Sequence, residues 1–144
     1  MSTHPLARLL LTALLCAGGV GGVGGVLAAD VSQLQGAWRL QAGEFVDGQG
    51  GVVNYASRKL AGTKVLADGH FAFTTTSDGK FWAGGAGTDA GDAAGYVETP
   101  LMASYPLENG GSYEFRYTLQ GDVWMLERWQ NGRRVEREVW QRVR

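Results

Sequence analysis

The last third of the chain limits the possible folds most tightly. In Tyr113-Glu114-Phe115-Arg116-Tyr117-Thr118-Leu119-Gln120, aromatic and polar side chains alternate, which is the period of a strand with one buried face. Gly121-Asp122 turns the chain into Val123-Trp124-Met125-Leu126-Glu127-Arg128-Trp129, and Asn131-Gly132 turns it again into a run over residues 135–143. Strands joined by such tight turns form an antiparallel meander. A parallel α/β sheet is excluded, because parallel neighbours need long crossover connections.

The same grammar extends upstream, and helical periodicity is almost absent beyond residue 30. A first strand is read over residues 34–46 with a break near Gly43, followed by a turn or loop at Asp47-Gly48-Gln49-Gly50-Gly51. Residues 52–64 fit either a short strand or a helical lid. Strands over 63–67 and 70–76 flank an Asp68-Gly69 turn, and Ser77-Asp78-Gly79 leads into Lys80-Phe81-Trp82-Ala83. Gly84, Gly85 and Gly87 point to a bulge or bend of the kind barrel corners use. Residues 89–95 read as a loose loop, Tyr96-Val97-Glu98-Thr99 as the start of another strand, and residues 106–111 as a turn. The sum is an all-β, single-domain, antiparallel up-and-down barrel of about eight strands.

The Asn131-Gly132 turn leaves two registers open. A two-residue turn sets Glu127 opposite Glu136, an unfavourable pair. A type I turn with Gly132 left-handed pairs Trp129 with Arg133 instead and gathers Trp124, Leu126 and Trp140 on one face. The second is preferred for that reason. It also brings Glu136, Glu138, Arg128 and Arg142 to the same face, where charges must be paired, at a rim, or lining a polar cavity.

Residues 1–29 stand apart. His4 and Arg8 make a weakly charged start, Leu9-Leu10-Leu11-Thr12-Ala13-Leu14-Leu15-Cys16 a short apolar run, and Ala28 or Ala29 a small-residue cleavage position. That is the outline of a secretory signal peptide. The run is too short to span a bilayer, and the glycines that follow form helix poorly. The expectation is a cleaved signal over 1–29 and an exported domain, periplasmic or secreted, over 30–144, with no stable membrane span left. The alternative is a tether through an uncleaved N-terminus or lipidation of Cys16. Cys16 is the only cysteine, so the domain would rely on packing rather than disulfides. Its five tryptophans, Trp38, Trp82, Trp124, Trp129 and Trp140, supply much of the area to bury.

Several short runs, taken together, resemble a family of small exported bacterial lipocalin-like proteins of unknown function, a calycin-type β-barrel. They are Gly36-Ala37-Trp38, His70-Phe71-Ala72-Phe73, Asp78-Gly79-Lys80-Phe81 and Ala83-Gly84-Gly85-Ala86-Gly87-Thr88, then Gly121-Asp122-Val123-Trp124 and Asn131-Gly132 followed by Glu138-Val139-Trp140-Gln141-Arg142-Val143. The chain departs from the family at 89–95, where a hairpin is expected to be frayed or shortened. The resemblance implies a barrel and export, and no established activity. It also implies that Gly36 and Trp38 belong to a closure of one barrel end, with Arg142 stacked on the indole and Arg144 as the fallback.

For function, the inward aromatics matter most. Phe73, Tyr96, Phe115, Tyr117 and Trp124, with Arg128 and Glu138 as polar selectors, are the candidate ligand-binding residues for a small apolar or amphipathic molecule. The alternative is a plugged barrel serving as an envelope structural or protein-interaction module, with Trp129 and Met125 outside. His70 stands alone beyond residue 29, so no metal and no cofactor are expected. Catalysis is not expected either; Glu136 and Glu138, roughly 6–7 Å apart along one strand face, are the only basis for a hydrolase-type alternative. Arg133, Arg134 and Arg137 have acidic neighbours and the formal net charge is −1, so no nucleic-acid partner is expected.

Overall fold

The computed structural model describes residues 30–107 and 111–144; the expected signal peptide and the middle of the 106–111 turn lie outside them. In chain order the elements are the 3-10 turn η1 (Val31–Leu34), β1 (Gly36–Val46), β2 (Val52–Asn54), the 3-10 turn η2 (Tyr55–Arg58), β3 (Leu60–Ala67), β4 (His70–Ser77), β5 (Lys80–Asp92), β6 (Gly95–Ala103), β7 (Tyr113–Gln120), β8 (Val123–Gln130) and β9 (Arg133–Arg142). Strands β1 and β3 to β9 form a closed antiparallel barrel of eight strands, and β2 is one extra strand. Each strand from β3 onward pairs with the next in sequence. β1 closes the ring, pairing through Gly36 to Arg39 with β3 and through Trp38 to Phe45 with β9. Its last residues, Glu44 to Val46, carry β2.

Three hairpins share one turn chemistry. Asp68-Gly69, Asp78-Gly79 and Asn131-Gly132 each hold both residues at positive φ, at 49° and 74°, 50° and 77°, and 50° and 73°. This is the type I′ arrangement, whose twist matches that of the flanking strands.

One end of the barrel is solidly filled. Leu34, Trp38, Leu66, Tyr96, Trp124 and Leu126 are almost wholly buried, each large side chain contributing about 1.5–3 kcal/mol by leaving water. The Trp38 and Trp124 rings lie 5.2 Å apart, and Tyr96 meets Trp124 edge-on at 5.3 Å. η1 seals this end: Asp30 accepts from the Ser32 amide at 3.0 Å, and the Leu34 carbonyl accepts from Trp38 Nε1 at 2.8 Å. The Arg142 guanidinium lies 4.2 Å over the Trp38 ring. Arg142 also donates to the Gln35 carbonyl at 2.6 Å and to the Gln33 carbonyl. Gly36 sits at φ +120°, and a Cβ there would come within 3.1 Å of Arg142 Nη1. Arg144 pairs instead with Asp122.

Four stretches differ from the sequence expectation. The first strand starts at Gly36 rather than Leu34, because residues 31–34 coil into η1. Residues 52–64 hold both a strand and a 3-10 turn before β3 begins. Residues 89–95 are not a loose loop: β5 runs to Asp92, which pairs with Gly95 across a two-residue turn. The small residues there serve close packing, since a Cβ on Gly91 would lie 2.5 Å from the Gly95 carbonyl oxygen and 2.9 Å from Val31.

The last hairpin also departs from the preferred type I register. Gln130 lies opposite Arg133 across a two-residue turn. A straight ladder from that turn would oppose Glu127 to Glu136. A bulge that leaves Val135 unpaired shifts the register, so Glu127 faces Arg137 and Arg128 faces Glu136. One like-charge pair is replaced by two opposite-charge pairs. Trp124, Leu126 and Trp140 still share the inward face with Glu136, Glu138 and Arg128, as expected.

Candidate functional site

The opposite end of the barrel is not filled. There a cavity of about 350 Å³ opens between the ends of β1, β4, β6 and β8 and the starts of β3, β5, β7 and β9. Its wall combines ring faces, among them Phe73, Trp82, Tyr105, Tyr113, Phe115 and Trp140, with Lys64, Glu98, Arg128, Glu136 and Glu138. Tyr55 reaches in from η2, on the strap that joins β2 to β3. A broader depression of about 660 Å³ lies on the outer wall, where Arg116 stacks 4.8 Å over Trp129. Its rim residues Glu114, Arg116 and Trp129 are exposed.

Lys64 is the centre of the inner site. It occupies the inward parity of β3 with Leu60, Gly62 and Leu66, and it is only 3% exposed. Its ammonium lies 2.6 Å from Glu98 Oε1 and 4.0 Å from Glu138 Oε2. Four rings surround it, with Trp140 at 5.2 Å, Trp124 at 5.5 Å, Phe73 at 5.9 Å and Phe115 at 6.0 Å. Burial disfavours the ammonium, but the Glu98 and Glu138 charges beside it outweigh that and hold its pKa above the usual lysine range. Burial pushes the Glu98 carboxyl up, and Lys64 offsets this only in part. Tyr96 donates to Glu98 Oε1 at 3.1 Å from below.

The rim of the cavity is built on β9 and η2. Glu138 accepts from Trp140 Nε1 at 2.9 Å, and Glu136 accepts from Arg128 Nε at 2.9 Å. Between the two carboxylates sits the Tyr55 hydroxyl, 3.1 Å from Glu138 Oε1 and 3.3 Å from Glu136 Oε1. Burial, then the neighbouring Glu138 charge, pushes the Glu136 carboxyl up to about 7. The Tyr55 phenol is pushed up by burial and by both carboxylates. Its ring packs against Gly43, where a Cβ would come within 2.5 Å.

Of the residues named from sequence, Phe73, Phe115, Arg128 and Glu138 line the cavity. Tyr96 and Trp124 lie beneath it in the filled layer, at 0% exposure. Tyr117 sits toward the sealed end, where its hydroxyl donates to the Asp92 carbonyl at 3.2 Å. Lys64, Glu98 and Tyr55 were not among the residues singled out from sequence. Strand parity puts Lys64 in phase with Leu66 and Glu98 in phase with Tyr96, but Val65 and Val97 place apolar residues on the opposite parity as well, so the inner face is not marked. Tyr55 has no parity to read, because a single 3-10 turn carries no periodicity.

Comparison with family models, with curated proteins and with solved structures gives no match to this chain. The closed eight-stranded antiparallel barrel has a calycin-like form.

Proposed function

We propose that the protein is an exported binding barrel whose open end takes up a small amphipathic molecule. The observation that carries this reading is the cavity of about 350 Å³, which falls within the size range of ligand pockets and shares their mix of ring faces and a few converging polar groups. The apolar part of a ligand would rest on Phe73, Phe115 and Trp140, and its polar end would meet Glu138, Glu136 and Arg128. Export rests on the charge, apolar run and Ala28-Ala29 pattern of residues 1–29.

The test is native mass spectrometry of protein purified from its own host. A co-purifying small molecule in a defined ratio is the expected result. Bare protein whose tryptophan fluorescence also ignores a panel of amphiphiles would overturn the reading. A second reading, an interaction module working through its outer wall, draws on Phe81, Leu101 and Met102, which are 64%, 70% and 67% exposed on β5 and β6. Cross-linking in the native host, compared between wild type and a Phe81→Ser, Met102→Ser variant, tests that alternative.

A further inference from the structure

We propose that the molecule taken up at the open end is an organic cation, an amine or quaternary ammonium on an apolar body, with its charge seated on the cavity side of Glu136 and Glu138. This deepens the binding reading above and depends on it.

The first argument is charge balance. Among the described residues, the interior places Glu98, Glu136 and Glu138 against the two cations Lys64 and Arg128. Asp89, the cross-strand neighbour of Glu98, adds a further carboxylate whose Oδ1 is buried with no hydrogen-bond partner among the described residues. Lys64 is already committed to Glu98 at 2.6 Å and Arg128 to Glu136 at 2.9 Å. With Glu136 and Asp89 ionised, negative charge is in excess, and an uncharged or anionic guest would do nothing to balance it.

The second argument counts hydrogens. The Tyr55 hydroxyl has one proton to give, yet it stands within hydrogen-bond distance of a carboxylate oxygen on each side, at 3.1 and 3.3 Å. With both carboxylates ionised, one of these contacts has no hydrogen in it. A proton on Glu136 supplies it, donated to the Tyr55 oxygen while Tyr55 donates to Glu138. The high pKa of Glu136, about 7, agrees with this sharing. A ligand ammonium can replace that proton, since it brings both the missing charge and donors or close-packed methyl groups.

The third argument is that the barrel already holds an ammonium this way. Lys64 rests among four ring faces and two carboxylates. The cavity above repeats the recipe with Tyr55, Tyr105, Tyr113 and Trp82. Ring faces and desolvated carboxylates together are what binds alkylammonium groups.

Three probes with one tail test the proposal: decyltrimethylammonium, decanol and decanoate, titrated against the full domain and followed by tryptophan fluorescence and calorimetry. At pH 8 the ammonium is expected to bind at least tenfold more tightly than decanol, and decanoate more weakly than either. Proton competition at Glu136 should weaken the ammonium severalfold between pH 8 and pH 5.5, with decanol unchanged. The groups that face Glu136 are Glu138 on its own strand, Arg128 from β8, Lys64 from β3 and the Tyr55 phenol from η2. Glu136→Gln should erase both the preference and the pH effect, bringing the ammonium down to the affinity that decanol shows for the same variant. Equal binding of ammonium and alcohol, or tightest binding of decanoate, overturns the cation and leaves the binding barrel standing. Failure of all three probes overturns the binding barrel itself.

Discussion

A lysine ammonium at 3% exposure is tolerable only if its neighbours replace the water it has lost, and Lys64 shows how completely that can be done. The pair with Glu98 is weak evidence for stability as such, because desolvation consumes most of the Coulomb gain. Breaking it is another matter. Lys64→Met leaves Glu98 charged and buried, and should cost about 3–5 kcal/mol in a urea titration. Adding Glu98→Gln to that variant should return a good part of the loss. Glu136 makes a different prediction. Its pKa in the fold, about 7, lies above the unfolded value of about 4.3, so the fold favours the protonated acid. Its contribution is therefore full below about pH 4 and is lost as pH rises from there through about 7. With the side chain 23% exposed, the loss should be on the order of 2 kcal/mol. Urea midpoints of wild type and Glu136→Gln at pH 5 and pH 8 isolate this slope, which the variant should lack. Half of this network was legible in the sequence: Arg128, Glu136 and Glu138 fall in phase with Trp124 and Trp140. Lys64 and Glu98 were not, because apolar residues stand on both parities of β3 and β6 and hide which face is inner.

At the level of elements, the hairpins were readable and the strap was not. Asp-Gly and Asn-Gly turns, and Gly121-Asp122 between β7 and β8 with its glycine at φ 59°, fix φ locally, so β3 to β5 and β7 to β9 follow from residues only a few positions apart. The β5–β6 hairpin reads from sequence as a loose loop, frayed or shortened, because glycine and alanine give a strand no visible alternation, yet its backbone is paired through to Asp92 and Gly95. The strap formed by β2 and η2 depends on contacts far away in sequence, above all Tyr55 with β9 and with Gly43 of β1. Gly43→Val tests this dependence. Its side chain would collide with the Tyr55 ring, 2.5 Å from the Cβ position, and with the Arg137 carbonyl oxygen at 2.9 Å. The variant should lose about 1–3 kcal/mol and be cut faster by trypsin after Arg58 and Lys59, whose carbonyls accept from Ser77 Oγ and the Asp78 amide when the strap is docked. Unchanged stability and unchanged digestion would show that Tyr55 does not hold the strap down.

At the level of the whole molecule, the barrel is filled at one end and open at the other, which is why the sequence could support both a plugged and a hollow barrel. Both descriptions hold, each for its own half. The ring itself is joined at one seam, where β1 meets β9. Arg142 at that seam donates to Gln35, 107 positions earlier in the chain; the other barrel pairs are between strands adjacent in the barrel's order along the chain. Arg142→Ala should cost about 2 kcal/mol through the lost ring contact and carbonyl hydrogen bonds. Stopped-flow measurements should find nearly all of that in faster unfolding, with the refolding rate almost unchanged, because long-range closure follows the local hairpins. A refolding rate that falls by the full amount would mean the seam forms first. The wider consequence of the seam concerns time. A chain emerging from synthesis can complete its hairpins one after another, yet it remains an open sheet with two unpaired edges until β9, its last ten-residue strand, has been made and has found β1. Those final residues decide how long the unfinished molecule is exposed to pairing with its neighbours.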